Sequence, residues 1–284
     1  MTDWLATPAG AYVLQWEQAH LDSAVADLFG FHALQLGLPE LEALRANRMP
    51  HRWVATEFEP TPGVAGSAPA ASSDPLAAGN AAAAPRPRAV VALHCDFDAL
   101  PFDSQSLDLV VLPHALEWAR DPHLALREVE RVLVPEGRVV VVGFNPNSLW
   151  GLRQHLGRWR RKLAPNSARH LFLPSAGEFL RYRRLRDWLR LLSFEVEDGR
   201  FGCYRLPVAS MKWLARCAWM ERVGDRWWPV FGAVYFVVAV KRVRGMRLVG
   251  LVRDQRVAAK AAPAPVVATQ NHHHHHHDVD ELTS

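Results

Sequence analysis

The stretch LDLVVLPHALEWARDPHLALREVERVLVPEGRVVVVGF, Leu107 to Phe144, decides the fold class. LDLVVL, Leu107 to Leu112, is short, aliphatic and unbroken, as expected of a strand buried on both faces of a parallel sheet. A helix is expected from Pro122 to Leu133, with Leu124, Leu126, Val129, Val132 and Leu133 toward a core while Arg127, Glu128, Glu130 and Arg131 stay wet. PEG then makes a turn, and RVVVVGF, Arg138 to Phe144, is another buried strand. Upstream, RWVATEF (Arg52 to Phe58) and AVVALHC (Ala89 to Cys95) read as strands. Ala33 to Leu36 is a further strand running into Gly37, and Pro39 to Arg48 reads as a helix, with Leu38, Leu41 and Leu44 at helical spacing. Downstream come a helix around Glu178 to Leu192, SFEVEDG, and the strand VYFVVAVKR from Val234. This alternation predicts an α/β, doubly wound, mostly parallel sheet carrying a basic helical insertion and disordered segments.

Composition sets the bounds. The chain has 284 residues, nearly half of them apolar, enough for a substantial core. Its 33 basic and 29 acidic residues leave a formal +4, too mild to demand nucleic acid as a partner. The charge is concentrated: Gly151 to Arg190 holds eleven Lys and Arg against two acids. Cys95, Cys203 and Cys217 lack metal-site or disulfide spacing and fit a reducing cytoplasm. The N-terminus has no basic stretch before an apolar core, which argues against a signal peptide. The run WWPVFGAVYFVVAV, Trp227 to Val240, is too short to span a bilayer and reads as a buried strand with its approach.

The expected organisation is one domain over residues 1–244. It is interrupted by an Ala/Pro/Gly/Ser tract at 60–88 expected to be disordered, and by a basic, lid-like insertion at 145–177. A disordered tail, 245–284, carries a run of six histidines at His272 to His277, set aside as a tag-like tract.

The motifs CDFDALPF, LDLVVL and DPHLALREVERVLVPEGRVVVVGF are collinear from Cys95 to Phe144. They resemble the class I S-adenosylmethionine-dependent methyltransferases, type 11 group, whose members carry a G-D-A-x-x-L-P-F turn, an F-D-x-V strand and a D-P-x-x-A-L-x-E-x-x-R-V-L-x-P-G-G helix and turn. RLRDWLRLLSFEVEDG and YFVVAVKR are similar to the family's last helix and closing strand pair, and FNPNSLWGL is similar to an uncharacterised bacterial branch. The resemblance implies a Rossmann-like methyltransferase fold and S-adenosylmethionine as cofactor. It implies that Asp96 accepts a hydrogen bond from the adenine amine, that Phe97 lies against the base, and that Leu112 and Pro113 line the methionine side. Asp98 is read as a turn carboxylate.

The glycine motif departs from the family. In ALQLGLPEL, Gln35 stands where an acid would be, able to hydrogen-bond an ammonium without charge, and Gly37 is the only glycine left. Glu57 lies twenty residues beyond Gly37, the spacing of a ribose-binding acid, with Glu59 close behind; the two equally read as exposed strand-end carboxylates ahead of the 60–88 tract. His114 is placed to act as a general base, with Glu117 one helical turn on; it equally reads as the start of the ALEWARD helix, packed beside Trp118. His94, His114 and His123 lack metal-ligand spacing.

The expected function is methyl transfer to a small-molecule acceptor. The alternatives are a catalytically silent binding protein of the same fold, or an RNA-binding protein acting through segment 151–190, where Arg158, Arg160, Arg161 and Lys162 with Trp150 and Trp159 would grip backbone and stack bases. The same basic segment also reads as a contact for an anionic membrane surface, or as a solvated lid over the substrate side.

Overall fold

The computed structural model describes residues 2–57, 91–163, 172–174, 179–208 and 210–242. Helices α1 (Thr2–Leu5) and α2 (Pro8–Val25) precede the strands β1 (His32–Leu36), β2 (His51–Thr56), β3 (Leu93–His94) and β4 (Leu107–Pro113). The short α3 (Ala115–Trp118), α4 (Pro122–Val132), β5 (Leu133–Phe144) and α5 (Leu149–Leu163) follow. Then come α6 (Tyr182–Leu191), β6 (Phe194–Gly202), α7 (Met211–Arg216), α8 (Trp219–Trp227) and β7 (Val234–Lys241).

The seven strands lie in the order β3-β2-β1-β4-β5-β7-β6. All neighbours from β3 to β5 are parallel, whereas β7 runs antiparallel to both β5 and β6. This is the doubly wound, mostly parallel sheet that the alternation predicts, and the Rossmann-like form that the resemblance implies. Alternate residues of a strand face opposite sides, and here both sides are buried. Leu34, Leu36, Val110, Leu112, Val139 and Val141 join α4 and α6 in one cluster. Ala33, Leu109, Val111, Val140 and Val142 join α2 in the other. Because each face has its own helical layer, continuous aliphatic strands are stable here.

Several expectations need correction. Residues 39–48 form a series of turns and no helix, so β1 crosses to its parallel neighbour β2 without one. Leu124 is 42% exposed, not in the core. At PEG, β5 runs from Leu133, but its pairing with β4 jumps from Leu133 to Arg138, and Glu136 takes a positive φ of 66°. The expected turn is therefore a bulge within a longer strand. The run from Trp227 to Val240 does divide as expected, into an approach on which Trp227 and Trp228 stand exposed and the buried strand β7.

The helix α2 has no counterpart among the expectations. Thr7 caps it, its hydroxyl accepting from Gly10 N at 3.1 Å, and Pro8 occupies the first turn. Its buried face includes Ala9, Val13, Glu17, Leu21 and Val25, a four-residue repeat in which one member is an acid. The expected tract at 60–88 and the tail at 245–284 lie outside the described residues, and the 145–177 insertion lies within them only in part.

Candidate functional site

In an open parallel sheet, ligands sit beyond the carboxyl ends of the strands where strand order reverses. Here that point is between β1 and β4. The loops leaving these strands touch: a Cβ placed on Gly37 would stand 3.5 Å from Ala115 Cβ and 3.6 Å from the Pro113 carbonyl oxygen. Gly37 has φ +81°, a conformation natural to glycine, and its N–H donates to the Ala55 carbonyl at 2.7 Å. Glu57, just past β2, is half-buried, and Asp96, two residues past β3, is exposed. Topology thus brings Gly37, Glu57, Asp96 and Pro113 to one edge of the sheet.

Four of the expected cofactor contacts are turned inward. Phe97 is 3% exposed and Leu112 1%, both within the cluster that includes Leu36 and Leu116. Their apolar burial is worth roughly 2 kcal/mol each, so they back the edge from inside the core and present no open face to a base. Pro113 is buried as the last residue of β4.

Gln35 is fully buried. Its Nε2 is within 2.7–3.2 Å of the carbonyl oxygens of Gly37, Leu38 and Leu41, and its Oε1 accepts from Ala43 N at 3.0 Å. Both N–H donors of the amide are taken by backbone carbonyls, and its oxygen is turned into the core onto Ala43 N, so burial keeps the group from an ammonium at the sheet edge. Its role is to organise the turns of the helix-less crossover, supplying partners that a helix would have found internally.

His114 is also corrected. It takes a left-handed backbone, φ 55°, and is 1% exposed. Its Nε2 lies 2.8 Å from Glu17 Oε1 and its Nδ1 lies 3.2 Å from Glu117 Oε2. Glu117 Oε1 in turn accepts from Phe144 N. With both ring nitrogens engaged and Phe144 packed on the ring at 4.4 Å, no substrate proton can reach the imidazole. Burial alone would depress the imidazole, but the carboxylates of Glu17 and Glu117 outweigh it and push the value up to about 10. The Glu117 carboxyl is raised by burial, against the pull of His114 and the Phe144 N–H. Both groups hold protons more tightly than their free counterparts, which suits a structural clamp and not a base working near neutrality. The clamp joins α2 to the ends of β4 and β5.

Two residues expected to stay wet instead shape the Asp96 loop. Arg131 donates through Nη2 to the Leu100 carbonyl at 3.0 Å and through Nη1 to the Phe102 carbonyl at 2.9 Å. Glu128 pairs with Arg131 at 2.8 Å and accepts from Leu100 N at 3.2 Å. This pair pins the ALPFD turn to α4. Its sequence signal is the Glu-x-x-Arg spacing on a helix beside a loop that lacks regular backbone partners. In the basic segment, Trp150 is 1% exposed and donates to the Arg205 carbonyl at 2.6 Å, so it is not available to stack on a base. Among the described residues, no three of His, Cys, Asp and Glu converge to hold a metal.

Residues 68–141 match the family model described as a methyltransferase domain, so the motif resemblance to class I S-adenosylmethionine-dependent methyltransferases of the type 11 group holds over that stretch. Over 97 residues, 34% of this chain, the sequence is 44% identical to the uncharacterised protein YafS of Escherichia coli. Over 74 residues, 26% of this chain, it is 46% identical to a malonyl-[acyl-carrier protein] O-methyltransferase of Halorhodospira halophila. These matches span 36% and 23% of the two relatives' own lengths. Among solved structures, it resembles an S-adenosylmethionine-dependent methyltransferase from Mesorhizobium loti at 16% identity, with a TM-score of 0.46 over 80% of this chain and 97% of that one.

Proposed function

We propose, from the premise that residues 68–141 belong to a methyltransferase domain of the type 11 group, that this chain binds S-adenosylmethionine at the carboxyl edge of β1 to β4 and transfers its methyl group to a small-molecule acceptor. One observation supports the reading: Gly37, Glu57 and Asp96 follow the carboxyl ends of β1, β2 and β3, on the same edge of the sheet as the β1–β4 switch point, each with a backbone or carboxylate suited to a nucleoside. The residues fit the adenosine half of the cofactor. Glu57 would accept from ribose hydroxyls and Asp96 from the adenine amine, held by a loop that Arg131 and Glu128 pin in place.

When bound, the cofactor supplies an electrophilic methyl group on a sulfonium. The chain's own contribution is alignment, since in-line displacement gains most from holding the reacting atoms in place. No proton is moved by His114 in this scheme, so the acceptor is one that enters already nucleophilic or loses its proton to solvent. The names of the relatives, an acyl-carrier-protein O-methyltransferase and two demethylmenaquinone methyltransferases, support a methyl acceptor without choosing one. The free thiols of Cys95, Cys203 and Cys217 support a reducing compartment such as the cytoplasm. Among the described residues, no helix is long and apolar enough to cross a membrane.

Calorimetric titration with S-adenosylmethionine and S-adenosylhomocysteine tests the proposal. Binding that weakens about tenfold or more in Asp96→Ala supports it, because a hydrogen bond to a charged group is worth roughly 1.5–3 kcal/mol. No heat from either ligand at millimolar concentration overturns it. The second reading, a silent member of the fold, is favoured by Gln35, whose buried amide is engaged by the backbone of the crossover where the family carries an acid. Binding of both ligands with no methyl transfer to any acceptor tried would select it.

A further inference from the structure

The outer face of α5 is apolar and, among the described residues, uncovered. Leu149, Leu152, Leu156, Trp159 and Leu163 recur at helical spacing and are 43–67% exposed, while Trp150 and Gln154 on the opposite face are buried. The helix therefore has an inner side that packs and an outer stripe about 22 Å long that does not. A second exposed set lies on α8 and the turn after it: Trp219, Trp227, Trp228, Val230 and Phe231, each more than half exposed. A cavity of about 550 Å³ joins the two sets, with Leu149 and Leu152 on one wall and Trp219, Val223, Trp228 and Phe231 on the other. The result is one continuous apolar face, larger than the scattered exposed residues ordinary surfaces carry.

Charge identifies what covers it. Residues 149–163 contain Arg153, Arg158, Arg160, Arg161 and Lys162 and no acid. Residues 211–231 add Lys212, Arg216, Arg222 and Arg226 against Glu221 and Asp225. Of these acids, Glu221 is half-buried and lies 3.9 Å from Arg205. Of these groups Arg153, Arg160, Lys212, Arg216, Arg222 and Arg226 are exposed against one exposed acid, Asp225, an excess that would repel a second copy across a two-fold interface. Leucines recurring along a helix offer nothing to stack on a nucleic-acid base, whereas acyl chains accept aliphatic and aromatic side chains alike. Tryptophan beside arginine is the composition of a segment lying at a membrane interface.

We propose that the face formed by α5, α8 and the 228–231 turn docks on an anionic lipid bilayer, its tryptophans and leucines entering the headgroup boundary and its arginines meeting lipid phosphates. Docking of this kind needs no spanning helix. It is independent of whether the sheet edge binds a cofactor.

Cosedimentation of the full chain with vesicles of phosphatidylcholine, with or without phosphatidylglycerol, tests it. The expected result is binding to the mixed vesicles that weakens with salt and shifts tryptophan emission to the blue. Trp219→Ser/Trp228→Ser should reduce partition about tenfold or more, as should Leu152→Gln/Trp159→Ser on the other wall. Arg160→Glu/Arg226→Glu should abolish the preference for phosphatidylglycerol, since each basic group near such a surface is worth about 1 kcal/mol. All six positions are exposed, so the variants should fold, which circular dichroism checks. The proposal is overturned by no binding to mixed vesicles, by binding that both variants with replaced tryptophans retain in full, or by an RNA oligonucleotide that displaces the vesicles with the same dependence on Trp219 and Trp228. A dimer that these variants convert to monomer would also overturn it.

Discussion

At the end of β3, Asp96 stands exposed on a loop held from behind by Arg131 and Glu128; at the end of β4, His114 is 1% exposed and clamped between Glu17 and Glu117. Both follow short strands of one sheet and both lie on its carboxyl edge. They differ in what packs over them. The helix α2 lays Glu17 across the end of β4, so the polar group there is consumed by the fold, whereas the Asp96 carboxylate stays exposed. Position at a strand end is thus insufficient to make a residue functional. It must also escape being used as a structural partner.

Four substitutions and one titration test this contrast, in falling order of effect. His114→Ala leaves two buried carboxylates facing each other without a cation, and should destabilise by about 3–5 kcal/mol in urea unfolding, as removing one partner of a buried charge set does. A small loss would mean the clamp is hydrated or open in solution. Gln35→Leu strands Ala43 N–H and carbonyls of the crossover. At roughly 1–3 kcal/mol for each buried group left unpaired, it should be the next most damaging in thermal melts. Gly37→Ala meets only ordinary contacts, the nearest at 3.5 Å, so its cost should be that of the left-handed backbone alone, about 1–2 kcal/mol. Asp96→Ala should change stability by no more than about 0.5 kcal/mol while weakening cofactor binding. If it unfolds the protein instead, the two strand ends do not differ in the way described.

The titration is a matter of sign. The folded-state value of His114 is raised from 6.5 to about 10, so its stabilising contribution is fully present below pH 6.5 and is lost as pH rises through about 10. The raised Glu117 works in the same direction, because the fold binds its proton more tightly than the unfolded chain does. The urea midpoint should therefore fall between pH 7 and pH 10.5, and His114→Ala should flatten that limb. The pH profile of methyl transfer, by contrast, should show no inflection near 6.5 assignable to His114.

Much of this was legible in the chain. The aliphatic runs at Leu107 and Arg138, the Asp121-Pro122 helix start and the strand pair ending at Lys241 are local patterns, and local patterns determine elements. The Asp121 side chain caps α4 by accepting from His123 N and Leu124 N, as its place before a proline suggests. The helix expected at 39–48 failed because leucine spacing carries no information about Gln35, eight residues before Ala43, which takes over the backbone groups that a helix would have paired. The Glu17 clamp was hidden by distance, since its partner His114 lies 97 residues away. Its one sequence trace was an acid occupying an apolar position in the repeat of α2.

By itself, the sequence determined the α/β class, the order of its strands along the chain, the methyltransferase motifs from Cys95 to Phe144 and the concentration of positive charge after Gly151. Those properties follow from composition and near-neighbour spacing. Tertiary structure decided which polar groups at the sheet edge remained available and which apolar residues of α5 and α8 faced outward. Burial and hydrogen-bond saturation are set by whatever packs against a residue, and that neighbour is usually remote in sequence.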